Sequence, residues 1–262
     1  VVSLQPSAIA MPPVVVTDED PGVTIMRRVI ERLPELRPPG PFQARAYMQQ
    51  TLSNDTSVVS ILETVADVSW ASDRHSRVLP LALRGTRNES THLFFSPGQF
   101  FDGYRDYMYY NGGRLLLPTH PDALEHYKFH LLGHETFDDR VAFRIAFSPR
   151  RRVNACGSGT LLVLDGEHAV LELDMRASDS FLMDLASITR RNTDVTFAQR
   201  YRPFGDGIWM PVDFRHTETS HTDLLGLPAM HVAHVGVLSD HRLGVALPDS
   251  FFQRSGTPDT VL

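Results

Sequence analysis

Hydrophobic and polar positions alternate with a period of two through much of the chain, most clearly between Tyr127 and Thr219. Phe129, Leu131 and Gly133 interleave with His130, Leu132 and His134, and the acidic pair Asp138-Asp139 follows. Val141, Phe143, Ile145 and Phe147 then share one face, with Arg144 and Ser148 on the other. Successive side chains of a strand point to opposite faces, so this pattern predicts strands with one buried face. The breaks are short and rich in Asp and Gly, as in Asp165-Gly166 and Gly205-Asp206-Gly207, which predicts an antiparallel meander.

Before the meander the period changes. Val23, Met26, Val29, Ile30 and Leu33 recur at helical spacing opposite Arg27, Arg28 and Glu31. Asp18 to Asp20 supply the cap and negative charge, and Pro21 suits the first turn, so a helix is expected to start there and to be ended by Pro34 and the Pro38–Pro41 run. Strands are expected over Phe42–Leu52 (Phe42, Ala44, Ala46 and Met48 on one side), Val58–Ser72 and Arg77–Arg87. Phe100, Tyr104 and Tyr107 lie at i, i+4, i+7 and predict a short helix broken by Asn111-Gly112-Gly113. Phe181, Leu182, Leu185 and Ile188 suggest a second helix or crossover within Ser178–Arg191, and Met230–Leu238 reads as a further strand.

These elements divide the chain into three parts. Residues 1–17 are expected to be the end of a preceding β domain and a tether. Residues 18–238 form one β-dominated unit of about ten strands and two helices, and residues 239–262 a loosely ordered tail. A sheet of that size curls or closes.

At 262 residues, with 42% hydrophobic and 21% charged residues, the chain has material for a sizeable core. A net charge of −6 argues against nucleic acid or an anionic membrane surface as the main partner. Cys156 stands alone, so no intrachain disulfide forms, and no run approaches the ~20 apolar residues of a spanning helix. The chain does not begin with Met, and the expectation is that its start has been removed.

The order of several short motifs resembles an uncharacterised family of outer-membrane proteins of Gram-negative bacteria. They are VVVTDEDPGVTIMRRVIE at residues 14–31, Phe42–Tyr47, Leu62-Glu63-Thr64, Phe101–Tyr104, LPTHPDALEHYKFHL, IAFSPRR, GSGTLLVLDGEHAVLEL and GIWMPVDF. In that family a carboxypeptidase-regulatory-like β domain precedes a LolA-like (lipoprotein-carrier-like) domain, and an outer-membrane β-barrel follows. The resemblance implies a mainly β (α+β) fold: a curved antiparallel sheet forming a half-open barrel with helices across its concave face. It also implies a periplasmic, outer-membrane-associated location and a concave face that holds acyl chains or other hydrophobic ligands. This sequence lacks the complete preceding domain and any barrel.

Candidate chemistry is sparse. Twelve histidines invite a metal reading, and His231 and His234 are close in sequence, with His216, His221, Asp240 and His241 nearby. Positions i and i+3 of a strand point to opposite faces, so His231 and His234 do not chelate one ion, and the histidines are expected mainly at the surface. Ser158, between Gly157 and Gly159, lacks the neighbours of a nucleophile elbow, and the glycines are expected to flank a turn or bulge. Cys156 has no adjacent cation or helix start to activate it. Arg150-Arg151-Arg152 reads as a solvated turn, with a phospholipid headgroup or lipopolysaccharide phosphate as the alternative contact. Ligand-lining candidates are Phe100, Phe101, Tyr104, Tyr107, Tyr109, Tyr110 and Trp209, whose alternative is a local core; Trp70 is expected in the core.

No catalytic residue, metal or cofactor is expected, and the resemblance, with no catalytic constellation to compete with it, implies a non-enzymatic periplasmic domain. It binds a hydrophobic ligand (a lipid or lipoprotein acyl chain) or docks an outer-membrane partner such as a β-barrel. The alternatives are a scaffold whose concavity is filled by its own side chains, and a metal-dependent or serine hydrolase.

Overall fold

The computed structural model describes residues 19–72, 75–86, 107–110, 113–151, 156–177, 193–220, 229–252 and 260–261. The expected tether, Phe100, Phe101, Tyr104, His221 and the Ser178–Arg191 segment lie outside these residues.

Helix α1 (Pro21–Leu36) starts as expected, with Pro21 in its first turn and Asp20 as N-cap, the carboxylate accepting from the Gly22 N–H at 2.8 Å. It passes Pro34 and stops at Leu36, just before the Pro38–Pro41 run that was expected to help end it. Proline removes one backbone donor, which is tolerable in a last turn, and Leu36 beyond it is buried and anchors the helix end. Arg37 is extended because Pro38 follows it.

The strands follow in chain order: β1 (Phe42–Asn54), β2 (Val58–Ser72), β3 (His75–Gly85), β4 (Tyr107–Tyr110), β5 (Gly113–Leu116), β6 (Tyr127–Phe137), β7 (Arg140–Pro149), β8 (Gly157–Leu164), β9 (Val170–Ala177), β10 (Thr193–Pro203), β11 (Trp209–Ser220), β12 (Met230–Leu243) and β13 (Thr260–Val261). A short helix α2 (Ala123–His126) precedes β6, and α3 (Asp249–Phe252) follows β12. One sheet takes the order β13-β3-β2-β1-β12-β11-β10-β9-β8-β7-β6, antiparallel throughout except where β13 joins β3. The sheet is curved and open, with β6 at one end and β3 and β13 at the other. Its β6-to-β11 part is the predicted meander, and the further strand β12 pairs with β11 and back onto β1. At the β6–β7 turn, Asp138 and Asp139 take φ of 47° and 60° between the paired residues Phe137 and Arg140. Two left-handed residues match the twist of the flanking strands.

Two expected elements differ. The Tyr107 to Tyr110 segment is strand, not helix: Tyr107 pairs with Leu116 and Tyr110 with Gly113. Aromatic residues favour strands, and Asn-Gly between two such runs is a hairpin signal that the helical spacing of the aromatics obscured. Strand β12 also runs on to Leu243, because Phe42 and Gln43 of β1 pair with Leu243 and Arg242. Its polar residues there gave no apolar period to read. Beyond it, α3 packs on β3, where the Arg77 guanidinium lies 4.7 Å from the Phe251 ring centre and donates to the Phe251 carbonyl at 2.8 Å.

The two faces of the sheet differ in chemistry. On β1 the inward Phe42, Ala44, Ala46 and Met48 are buried, while outward Arg45 bonds Asp67 at 2.6 Å and the Tyr47 hydroxyl donates to Glu63 at 2.6 Å. The same outer face carries alternating charges across strands: Glu135–Arg144 at 2.5 Å, Arg144–Glu172 at 3.8 Å, Arg200–Glu172 at 3.5 Å and Arg200–Asp213 at 3.9 Å. Exposed pairs of this kind each contribute about 0–1 kcal/mol, so they set solubility and register more than stability.

The main core lies where α1 meets the inner face of the meander. Met26 and Val29 pack with Tyr127, Ile145, Leu161, Val163 and Phe197, among others, most of them fully buried.

Candidate functional site

The inner face continues past α1 onto β1, β2, β3, β11 and β12, where its composition changes. Ala44, Ala46, Met48, Ala66, Phe214 and Leu238 form an apolar cluster with Val68 and Val78. Every one of these residues comes from the sheet, whereas the main core draws on α1 as well. Small side chains keep this floor low. Phe214 packs against Gly236, where a Cβ would sit 1.9 Å from the ring, so glycine leaves room for it.

A polar row crosses this floor. Register pairs Gln50 of β1 with His234 of β12, and His234 with His216 of β11. Facing pairs on one side of an antiparallel sheet hold their Cβ atoms about 4.5–5.5 Å apart, so the three side chains form a contiguous line. Their relative exposures are 6%, 5% and 3%. The His216 and His234 ring centres are 5.2 Å apart, and His216 stacks on Phe197 at 4.9 Å. The Thr64 hydroxyl, on the neighbouring rung of β2, is buried with no hydrogen-bond partner among the described residues. Gln199 of β10, opposite Phe214, is also buried.

Burial removes water from both imidazoles and favours their neutral forms. The pKa of His216 falls to about 4. That of His234 falls to about 3, through burial first and then the proximity of His216, with Glu218 opposing. At neutral pH the row is therefore an uncharged set of donors and acceptors in an apolar floor. The expectation of surface histidines fails at these two positions: the strand period puts His216 and His234 inward, and polarity alone did not reveal which face they occupy. His231 points to the other face, as the period requires, and contacts Thr219 at 3.1 Å and Asp55 at 3.0 Å.

The other candidate residues fall elsewhere. Tyr107 packs at the edge of the main core, its hydroxyl 3.0 Å from His120 Nε2 and its ring 5.0 Å from the His120 ring. Tyr109 and Tyr110 belong to β4. Trp209 is buried in a separate cluster with Leu36, Leu162, Leu164 and Leu171, and its indole N–H donates to Glu167 at 3.1 Å. Tyr107 and Trp209 thus sit in different clusters, and neither belongs to the β1–β3 floor. Trp70 packs on Phe42 with ring centres 5.7 Å apart.

Cys156 is buried beside Tyr127, and burial pushes its thiol pKa up, which disfavours the reactive thiolate. Gly157 and Gly159 lie within β8, not at a turn: a Cβ on Gly159 would meet the Asp174 carbonyl at 1.9 Å, so the glycine allows close strand approach. Ser158 points outward and is exposed. Arg150 and Arg151 are exposed in a bend, as a solvated turn would have them, and the Arg150 Nε also donates to the carbonyls of Leu124 and Tyr127 at 3.0 and 2.9 Å, tying α2 to β6.

Among the described residues no group of three or more His, Cys, Asp or Glu side chains is placed to hold a metal ion. No helix among them is long and apolar enough to cross a membrane.

Several solved structures are similar over most of the chain. A domain from Vibrio parahaemolyticus, described as a candidate outer membrane lipoprotein-sorting protein, is 14% identical and matches 88% of this chain and 96% of its own at a TM-score of 0.40. A DUF1329 family protein from Desulfovibrio piger is 14% identical, with 89% and 97% covered and a TM-score of 0.40. A LolA superfamily protein from Nitrosomonas europaea is 13% identical, with 87% and 97% covered and a TM-score of 0.34. No curated protein matches the chain. The model of a family of unknown function, DUF5686, matches residues 38–228, most of the chain, and the chain belongs to that family.

Proposed function

We propose that this chain is a non-enzymatic periplasmic domain that holds a hydrophobic ligand against the floor formed by β1, β2, β3, β11 and β12. The observation that carries this reading is the composition of that floor. A buried apolar sheet face needs a second layer to pack on. Over the meander that layer is α1. The cluster around Ala46, Ala66 and Phe214 takes all of its described members from the sheet, and an acyl chain fits a low, smooth surface of alanine, glycine and methionine. Docking to an outer-membrane partner, a β-barrel included, is compatible with the charged outer face, which stays free while the inner face is occupied.

A second reading has its own support. Ala46 and Ala66 are 0% exposed in the free chain, as a scaffold filled by its own segments would have them. Native mass spectrometry of the purified chain, before and after organic extraction, separates the two. A co-purifying acyl species, lost on extraction and rebound on lipid addition, supports the carrier. A mass that stays that of the bare chain through lipid titration overturns it and leaves the scaffold.

A further inference from the structure

The outer face of the sheet holds a cavity of about 310 Å³ that opens among β9, β10, β11 and β12. Its size lies at the low end of ligand pockets, about 300–1,000 Å³. Register places Ala198 of β10 between Asp174 of β9 and Arg215 of β11, so a single methyl group lies between two longer charged side chains. The charges around the cavity are of two kinds. Arg200 stands between Glu172 at 3.5 Å and Asp213 at 3.9 Å, and that set is already matched. Asp174 and Arg215 are exposed and pair with no described residue. Adjacent strands lie about 4.8 Å apart, so their backbones stand about 10 Å apart across Ala198, which leaves room for a ligand group of each sign between them. Past Arg215 the lining turns apolar. Val235 of β12 stands beside Arg215, and Val237 stands between Asp213 and Tyr47 of β1. Val235, Val237 and Tyr47 are 37%, 49% and 44% exposed, on the face where a one-sided sheet normally carries polar residues.

We propose that this cavity binds the headgroup of a zwitterionic amphiphile of the phosphatidylethanolamine kind, with its ammonium at Asp174, its phosphate at Arg215 and the start of its hydrocarbon along Val235, Val237 and Tyr47. The order of side chains across the sheet is carboxylate, methyl, guanidinium and valine, and it matches the order of groups along such a molecule. A guanidinium presents paired donors to phosphate oxygens, and a primary ammonium donates to a carboxylate. A simple anion would meet Asp174 as well as Arg215, and a simple cation would meet Arg215 as well as Asp174, so a ligand carrying both signs is the better match. The cavity lies on the face opposite the β1–β3 floor, and neither site requires the other.

The test titrates the full chain, isotope-labelled, with dihexanoylphosphatidylethanolamine below its micelle concentration and follows the Ala198 methyl and Arg215 Nε resonances. Dihexanoylphosphatidylglycerol lacks the ammonium, hexylamine lacks the phosphate, and O-phosphoethanolamine lacks the chains. Each of the three should bind about fivefold more weakly, the worth of one exposed ion pair or a small apolar contact. Asp174→Asn should remove the preference over phosphatidylglycerol, and Arg215→Gln the preference over hexylamine. Both side chains are exposed, so the variants should fold, and thermal unfolding checks that they do. A wild type that binds none of the probes or prefers none, or preferences that survive both variants, overturns the assignment. Equal affinity for O-phosphoethanolamine overturns the lipid in favour of a free zwitterion of headgroup size. Shifts at Ala46 and Ala66 in place of Ala198 overturn this site while supporting the floor as the place where lipid binds.

Discussion

The two halves of the inner face solve the same problem differently. Over β6–β10, α1 supplies a second layer, and the interface is dry and large-residue: Met26, Val29, Tyr127, Ile145 and Leu161 are 0% exposed. Over β1–β3, β11 and β12 the described cluster is one layer deep, its floor is alanine and glycine, and a row of polar groups crosses it. The first half is built for stability. The second buries polar groups among its apolar residues, at a cost in stability that the first half avoids.

Substitutions should separate the halves by size of effect. Leu161→Ala and Ile145→Ala remove packing that cannot relax, and each should cost about 2–5 kcal/mol in chemical denaturation. Gly236→Ala, on the floor, should cost about 1–3 kcal/mol because the new methyl must displace Phe214; an unchanged midpoint would mean that the ring moves freely. Asp20→Ala removes the cap of α1, along with its bonds to the Leu131 N–H at 3.0 Å and to His130 Nδ1 at 2.5 Å. It should cost about 1 kcal/mol and loosen the helix-covered half alone, read by hydrogen exchange. Arg200→Ala, on the outer face, should change stability by less than about 1 kcal/mol, less still at high salt.

The histidine row gives the halves different pH responses. His216 and His234 titrate in the folded chain near 4 and 3, below the ordinary histidine value of about 6.5. Between those values the unfolded chain binds more protons than the folded one. Stability contributed by the neutral imidazoles is thus complete above about pH 6.5 and declines as pH falls from there toward 4. His216→Phe should flatten that decline in denaturation midpoints measured from pH 7 to 5. A slope equal to the wild type's would show that the row is not buried neutral.

Much of the fold was legible because strands leave a period of two. The meander, the α1 face with Met26 and Val29, and the inward Ala44, Ala46 and Met48 all follow from spacing. The Tyr107–Tyr110 strand was obscured because its aromatics also sit at helical intervals, and the far end of β12 because its residues are polar on both faces. The site was less legible for a different reason. Its members come from β1, β2, β11 and β12, and register alone brings Gln50, His234 and His216 into line. Periodicity gives each strand's faces but not which residue of one strand stands opposite which of another, so polar residues in strands read as outward ones. The aromatic residues stood out in composition, yet Tyr107 and Trp209 pack into separate clusters.

The most direct test of the central claim is methyl NMR during titration with 1-monomyristoylglycerol. The account predicts shifts concentrated at the methyls of Ala44, Ala46, Met48 and Ala66, with those of Ile145, Leu161 and Val163 under α1 unmoved. Shifts concentrated under α1, or none at saturating ligand, would contradict it.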